Sequence, residues 1–305
     1  GDLLQTSKTR YSPVTLSEVF CNINNLEGNV AIVGVACFIK SIRLAQHSDP
    51  VLKNKIQFLV GIICGGVKSS FFTEYLADKI GIEKTYINKP NYRIKDFNSS
   101  AGDYSFGCEN SETNEKKSMR MREAGDMWGT GLFKANACDF CDDVTTELAD
   151  ISIGDAWLDP YVNDGRGDNV IVTRSNLAQK IIDDGINMNQ LNLEALPTER
   201  FLLSQKGSFN HRHKGLPFRV KNVRKKGMVV PPKRIQNDES SFFFKIVQYF
   251  RLRTRSNSLK IWKKTGDSKI FDKKIKKDLS LLKFATRLNY KMLSMRAKFK
   301  QYKKK

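Results

Sequence analysis

The chain has 305 residues, a hydrophobic share of 40% and a formal net charge of +20 at pH 7. That length and composition provide for a sizeable core in one or two domains and exclude an intrinsically disordered chain. No apolar run reaches the length of a membrane span and no secretory signal opens the chain, so a cytoplasmic, reducing compartment is expected.

GNVAIVGVACF (28–38) is apolar and rich in β-branched residues, which predicts a buried strand ending near Gly34, with Cys37 just past it. FIKSIRLAQ then has helical spacing. KIQFLVGIICGG (55–66) predicts a second strand ending at Cys64, and SSFFTEYLADKIG (69–81) a helix with a Ser start and a Gly stop. NYRIKDF and DYSFGCE read as short strands, and residues 109–130 as a polar loop. ADISIGDAW (149–157) and GDNVIVTRS (167–175) predict two further strands, followed by a capped helix over 175–185. SQKGSFNHRHKGLPFRV (204–220) reads as irregular. This rhythm predicts an α/β fold, a mixed sheet with flanking helices, followed by a basic helical C-terminal tail.

The charge is divided unevenly. Residues 219–305 hold 28 Lys and Arg against 5 Asp and Glu, whereas residues 1–218 hold 24 against 27. Two units are therefore expected, 1–230 and 231–305, parted after Pro231-Pro232. In the second, SFFFKIVQYFRL (241–252) predicts an amphipathic helix. A longer helix is expected from about residue 269, with an apolar stripe of Leu281, Phe284, Leu288, Met292, Met295, Phe299 and Tyr302. Such a tail suits an anionic membrane surface or packing on the body or a partner; nucleic acid is disfavoured because no fold signature supports it.

Six cysteines punctuate the chain: Cys21, Cys37, Cys64, Cys108, Cys138 and Cys141. Cys37 and Cys64 each follow a strand. The Cys138/Cys141 pair precedes one, so its loop must cross over to reach the same sheet edge, where ligands of parallel sheets bind. Four thiolates gathered there suit an iron–sulfur cluster or a tetrahedral zinc. A redox disulfide or plain core packing are the alternatives for the individual residues.

The order of several motifs carries further information. Gly34 to Cys37 forms a G-x-x-C turn, and Cys64-Gly65-Gly66 ends the second strand. Tyr92, Arg93 and Lys95 form Tyr-Arg-x-Lys, and C-D-F-C-D-D, A-D-I-S-I-G-D-A-W and G-D-N-V-I-V-T-R-S follow. Over about residues 8–220 this resembles the coenzyme F420 hydrogenase/dehydrogenase beta-subunit family in its C-terminal domain, including members found among bacterial polysaccharide-biosynthesis genes. The resemblance implies an oxidoreductase that binds FAD and a 4Fe-4S cluster and passes electrons to a deazaflavin or another acceptor. It implies Cys37, Cys64, Cys138 and Cys141 as cluster ligands and leaves Cys21 and Cys108 as ordinary residues.

Arg93, Lys95 and Arg174 are the basic candidates for the flavin pyrophosphate or ring. Asp155 is a candidate for ribose or flavin, or else a helix or turn cap. His211 and His213, alternating with Arg212 and Lys214, are expected to face solvent. Two departures stand out: Val35-Ala36 replaces the Thr-Pro many members carry before the first cysteine, and Phe38 replaces the following Gln. The N-terminal ferredoxin-like segment of many members is absent, and the chain opens on Gly-Asp. A truncated chain or a separate ferredoxin-like electron donor is expected. The competing reading is a non-catalytic or zinc-bearing accessory protein that keeps the fold.

Overall fold

The computed structural model describes residues 11–302. A short helix α1 (Ser17–Asn22) leads to β1 (Val30–Val35), whose branched apolar side chains extend as predicted. Helix α2 (Ala36–Ser48) starts immediately, so Cys37 lies in its first turn, and Ala36, Ile39, Ile42 and Gln46 make its buried face. Asp49 caps α3 (Pro50–Lys55) by accepting from the Val51 and Leu52 amides at 2.8 and 3.3 Å, with Pro50 at the first turn. Then come β2 (Ile56–Ile62) and α4 (Ser70–Lys79).

A small antiparallel sheet follows, β3 (Ile87–Ile94), β4 (Ser105–Asn110) and β5 (Lys116–Arg120), in the order β3-β4-β5. The third strand corrects the expectation of a loop over 109–130. KKSMR has no apolar run, and it is a strand because it pairs with β4, Phe106 opposite Met119. The main sheet is completed by β6 (Ile151–Asp155) and β7 (Asn169–Thr173), in the order β1-β2-β6-β7. β1, β2 and β6 run parallel, and β7 is antiparallel at the edge. Ser175 caps α5 (Asn176–Asn187) by accepting from the Ala178 amide at 3.2 Å.

Residues 204–220 are helical, which corrects the irregular reading. After α6 (Thr198–Ser204) come α7 (Lys206–Phe209), a π-turn over Asn210–Lys214 and α8 (Leu216–Arg224). The buried face here includes Arg212 and Arg219, so charged side chains fill positions where a sequence pattern looks for apolar ones.

The C-terminal region is a helical hairpin. α9 (Phe242–Thr265) runs a full three turns beyond the predicted end, stops at Gly266 in the left-handed conformation and turns into α10 (Ser268–Tyr302). Its inner face shares a core with the body. Trp262, Phe271 and Ile275 pack with Phe72, Tyr75, Leu76 and Phe133, and the Trp262 indole donates to Glu74 at 2.9 Å. The stripe of α10 that faces the core is thus Phe271, Ile275, Asp278, Leu282, Ala285 and Asn289, not the one predicted. Phe284 and Phe299 of the predicted stripe are exposed, and the side chain of Tyr302 lies outside the described residues. Both stripes have helical spacing, and only the partner surface decides which is buried.

Phe271 touches the rings of Tyr75, Phe133 and Trp262 with centroids 4.9–5.9 Å apart. Phe271→Ala is expected to lower the unfolding free energy by about 3–5 kcal/mol. Phe284→Ala on the outer side should change it by less than ~1 kcal/mol. Urea denaturation of the two variants measures the difference, and equal losses would place the wrong stripe in the core.

Candidate functional site

The strand register assembles one edge of the main sheet. Val35 of β1 lies opposite Ile62 of β2, and Ile62 lies opposite Ile153 of β6. Two residues beyond each stand Cys37, Cys64 and Asp155, so all three emerge at the carboxyl edge of parallel strands. The Cys138/Cys141 pair comes from a 3₁₀ turn (Asn136–Phe140) on the connection between the two sheets. Residues 67–69 pair with 133–135: Ser69 N–H donates to Phe133 O at 2.8 Å and Ala135 N–H to Val67 O at 2.9 Å. This ribbon carries Cys138 to Cys64. Further on, Thr146 and Ala149 press against β2 at Gly61, where an added Cβ would lie 2.6–2.8 Å from their side chains.

The structure therefore brings the four cysteines into one electrostatic neighbourhood. Cys37 keeps solvent access, yet partial burial and then the thiols of Cys64, Cys138 and Cys141 raise its pKa. Backbone amides point at two of the sulfurs, Gly66 N–H to Cys64 Sγ at 3.2 Å and Val67 N–H to Cys138 Sγ at 3.3 Å. Gly66 has φ +125°, a conformation that side chains avoid, so the Cys-Gly-Gly turn needs its second glycine. Cys141 Sγ lies 3.4 Å from Asp143 O. Among the described residues no three His, Cys, Asp or Glu side chains converge closely enough to hold a single metal ion. Four thiols are the donor set that a 4Fe-4S cluster takes and equally that of a tetrahedral zinc, so the residues present fit either group. Cys21 is exposed on α1. Cys108 is buried in β4, where burial pushes its thiol up to about 11.

Behind the pair lies a buried cationic layer that the sequence did not announce. Asp139 is 1% exposed and carries Lys134 Nζ on one oxygen and Arg255 Nε on the other, both at 2.5 Å. Arg219 donates Nε to Asp139 O at 2.8 Å, and His211 Nε2 lies 2.8 Å from Lys134 Nζ. Arg219 and Arg251 each approach His211 Nδ1 at 3.4 Å. Burial lowers the pKa of Lys134, pushes Arg219 down to about 10 and holds His211 well below its ordinary value. His211 thus packs inside a cation cluster and His213 Nε2 donates to Asp142 O, 3.0 Å away, which corrects the expectation of solvent-facing histidines. Arg212, set by the π-turn, donates to Cys64 O and Asp143 O and so ties the end of β2 to the loop after Cys141. Lys134 and Arg212 both pull the Cys138 thiol toward its ionised form, against burial.

The four polar candidates do not form one group. Arg93 Nη1 pairs with Asp155 Oδ2 at 2.9 Å, and its guanidinium lies 5.2 Å from the Tyr104 ring and 5.9 Å from Trp157. Asp155 is therefore an ion-pair partner and caps no helix. Lys95 reaches Arg166 O on the exterior. Arg174 donates to Ser152 Oγ at 2.7 Å and to Thr145 at 3.2 Å, a strut between β6 and the loop before it. Tyr11 stacks edge-on with Trp128 at 4.8 Å, and Trp128 lies in van der Waals reach of Gly65, 3.5 Å from where a Cβ would stand. Arg93, Asp155 and the partly exposed Trp128 and Trp157 thus make an aromatic and charged rim next to the Cys64 turn. Lys68 closes its floor: fully buried, it donates to Met127 O and Leu132 O at 2.5 and 2.6 Å and lies 4.6 Å from the Trp128 ring. Burial, with Lys134 adding to it, pushes Lys68 down to about 7.

The Asp139 carboxylate touches Lys134 and Arg255 together. Its folded pKa lies below its unfolded value of about 3.9, so its contribution to stability is complete above that pH and is lost as the pH falls through the folded pKa. Asp139→Asn is expected to cost ~3–5 kcal/mol at neutral pH and progressively less in acid. Chemical denaturation at several pH values checks it; a small loss, or one that does not shrink on acidification, contradicts the role given to this carboxylate.

The comparisons with known proteins agree with this architecture. A relative from Methanocaldococcus jannaschii, a coenzyme F420-dependent sulfite reductase, is 25% identical over 221 residues, which are 66% of this chain and 32% of the relative. The chain thus spans about a third of the length of that curated relative. A chain of the F420-reducing nickel–iron hydrogenase complex from Methanosarcina barkeri shares the fold, with a TM-score of 0.51, 17% identity and coverage of 77% of this chain and 75% of that one. The family model for the C terminus of the coenzyme F420 hydrogenase/dehydrogenase beta subunit matches residues 27–199, more than half of the sequence and all four gathered cysteines. The chain belongs to the coenzyme F420 hydrogenase/dehydrogenase beta-subunit family, through its C-terminal domain.

Proposed function

We propose that the chain is an iron–sulfur flavoprotein oxidoreductase, with a 4Fe-4S cluster on Cys37, Cys64, Cys138 and Cys141 and FAD at the adjoining rim. The observation that carries this reading is the convergence of four thiols on one sheet edge beside a surplus of buried positive charge. Four cluster-bound thiolates bring net negative charge, and Lys134 and Arg212 are the nearest cations to meet it.

When bound, the cluster supplies one-electron steps and the flavin couples them to two-electron hydride chemistry. The chain's own residues supply position and field. The Gly66 and Val67 amides donate to sulfur, which favours the thiolate form and would raise the potential of a cluster held there. Arg212 holds the Cys64 turn against the Cys141 loop. Arg93, oriented by Asp155 and backed by Tyr104, offers its remaining donors to an anionic or carbonyl group of the flavin. Lys95 and Arg174, tied elsewhere, are weaker candidates for the same cofactor, though Lys95 is free to turn. Trp128 and Trp157 add partly exposed flat apolar faces to the rim.

The kinship with F420-linked enzymes makes a deazaflavin the first acceptor to try, and a ferredoxin-like protein the first donor. A role in surface polysaccharide biosynthesis follows only from the sequence resemblance.

Protein purified or reconstituted without oxygen is expected to show flavin bands over a broad cluster shoulder, with about four irons and matching sulfide per chain. Cys138→Ser should lose the iron while keeping its circular dichroism, and Cys21→Ser and Cys108→Ser should keep it. Arg93→Ala should weaken FAD retention by about tenfold and leave the iron in place. A chain that stays colourless after reconstitution with iron, sulfide and FAD sinks the proposal.

A further inference from the structure

We infer that the outer side of α10 is a docking surface for an anionic lipid bilayer, independently of the redox reading. The helix carries two apolar stripes. The inner one, through Phe271, Ile275 and Leu282, is spent on the core. The outer one is Ile270, Leu281, Phe284, Leu288, Met295 and Phe299, mostly at steps of three and four. At 3.6 residues per turn it lies about 100° around the axis from the inner stripe. It is not covered: Ile270, Phe284 and Phe299 are 45%, 68% and 72% exposed, and Leu281, Leu288 and Met295 between them are half-buried.

The charges beside this stripe are of one sign. Lys273, Lys277, Lys291 and Lys298 are exposed along it. The two acidic residues of the helix, Asp272 and Asp278, are engaged by Lys79 of α4 and Arg253 of α9. The outer lysines therefore have no carboxylate on their own helix. The apolar line runs for about 40 Å. A flat surface that is apolar at depth and negatively charged above meets all three features, and long lysine stems let the side chains reach headgroups while the stripe enters the interface. A second copy of the chain is a poor occupant, because stripe against stripe would bring two lysine rows together. No helix among the described residues is long and apolar enough to cross a membrane, so the contact is an attachment to the surface.

The test is co-sedimentation of the full chain with vesicles of phosphatidylcholine alone or mixed with phosphatidylserine. At low salt at least about tenfold more chain should pellet with the mixed vesicles, and added salt should reverse it. Phe284→Glu with Phe299→Glu should abolish pelleting, and so should Lys277→Glu with Lys291→Glu, with circular dichroism unchanged in both, since all four residues are exposed. Equal pelleting with both vesicle types, or pelleting that survives both double variants, overturns the inference. So does binding to a DNA duplex without binding to vesicles, which would assign the basic surface to nucleic acid.

Discussion

The parallel register of β1, β2 and β6 is the constraint on which the site depends. Three strands that run the same way must finish at the same edge, and here the register aligns Val35, Ile62 and Ile153. The two-residue offset then delivers Cys37, Cys64 and Asp155 side by side without any long-range search by the side chains. A one-residue slip of β2 would turn Leu59 and Gly61 to the wrong face and place Gly61 away from Thr146, where only a residue without Cβ fits. The register that buries the apolar face is therefore the one that assembles the thiols, so fold stability and site geometry are under one control.

Electrostatics imposes the second constraint. A cationic layer this far from water is costly unless negative charge compensates it, and the Asp139 carboxylate pairs with Lys134 and Arg255 while its carbonyl accepts from Arg219. The layer stands immediately behind Cys138, where Lys134 and Arg212 act on the thiol against the burial that raises its pKa. Residues 204–220 are helical although they look polar: Arg212 and Arg219 face inward, and the helix turns that present them are anchored on carbonyls of Asp143, Cys64 and Asp139.

Legibility followed the origin of each element. Strands β1, β2, β6 and β7 and helix α4 are set by local apolar patterns, and the sequence located them closely. The cysteine set was legible only through the order of motifs, because nothing local to Cys138 says that its loop crosses to the edge of β2. β5 was missed because its pairing is decided by β4, and the Asp139 cluster was missed because charged residues normally signal the surface. Its one sequence sign was the density of Arg and His in NHRHK, which reads equally well as a solvated face. The choice between the two stripes of α10 was not legible at all: their spacing is equivalent, and the position of Tyr75 and Phe133 settles it.

The charge boundary near residue 219 also proves to be different from a boundary in packing. α9 sends Arg251 and Arg255 inward to the Asp139 cluster, and Ser258 Oγ accepts the Phe133 amide at 3.0 Å, one residue before Lys134. Helix α10 is in turn fixed on α9 and α4 through Phe271 and the Asp272 pairs with Tyr75 and Lys79. The basic hairpin is therefore a wall of the candidate site on its inner side and a lysine-lined apolar ridge on its outer side. A surface attached along that ridge would hold the thiol edge in a defined orientation, because the two are linked through a packed aromatic core and not through a flexible tether. Any partner that delivers or takes electrons at the Cys37 opening would then meet the site from a direction set by the hairpin.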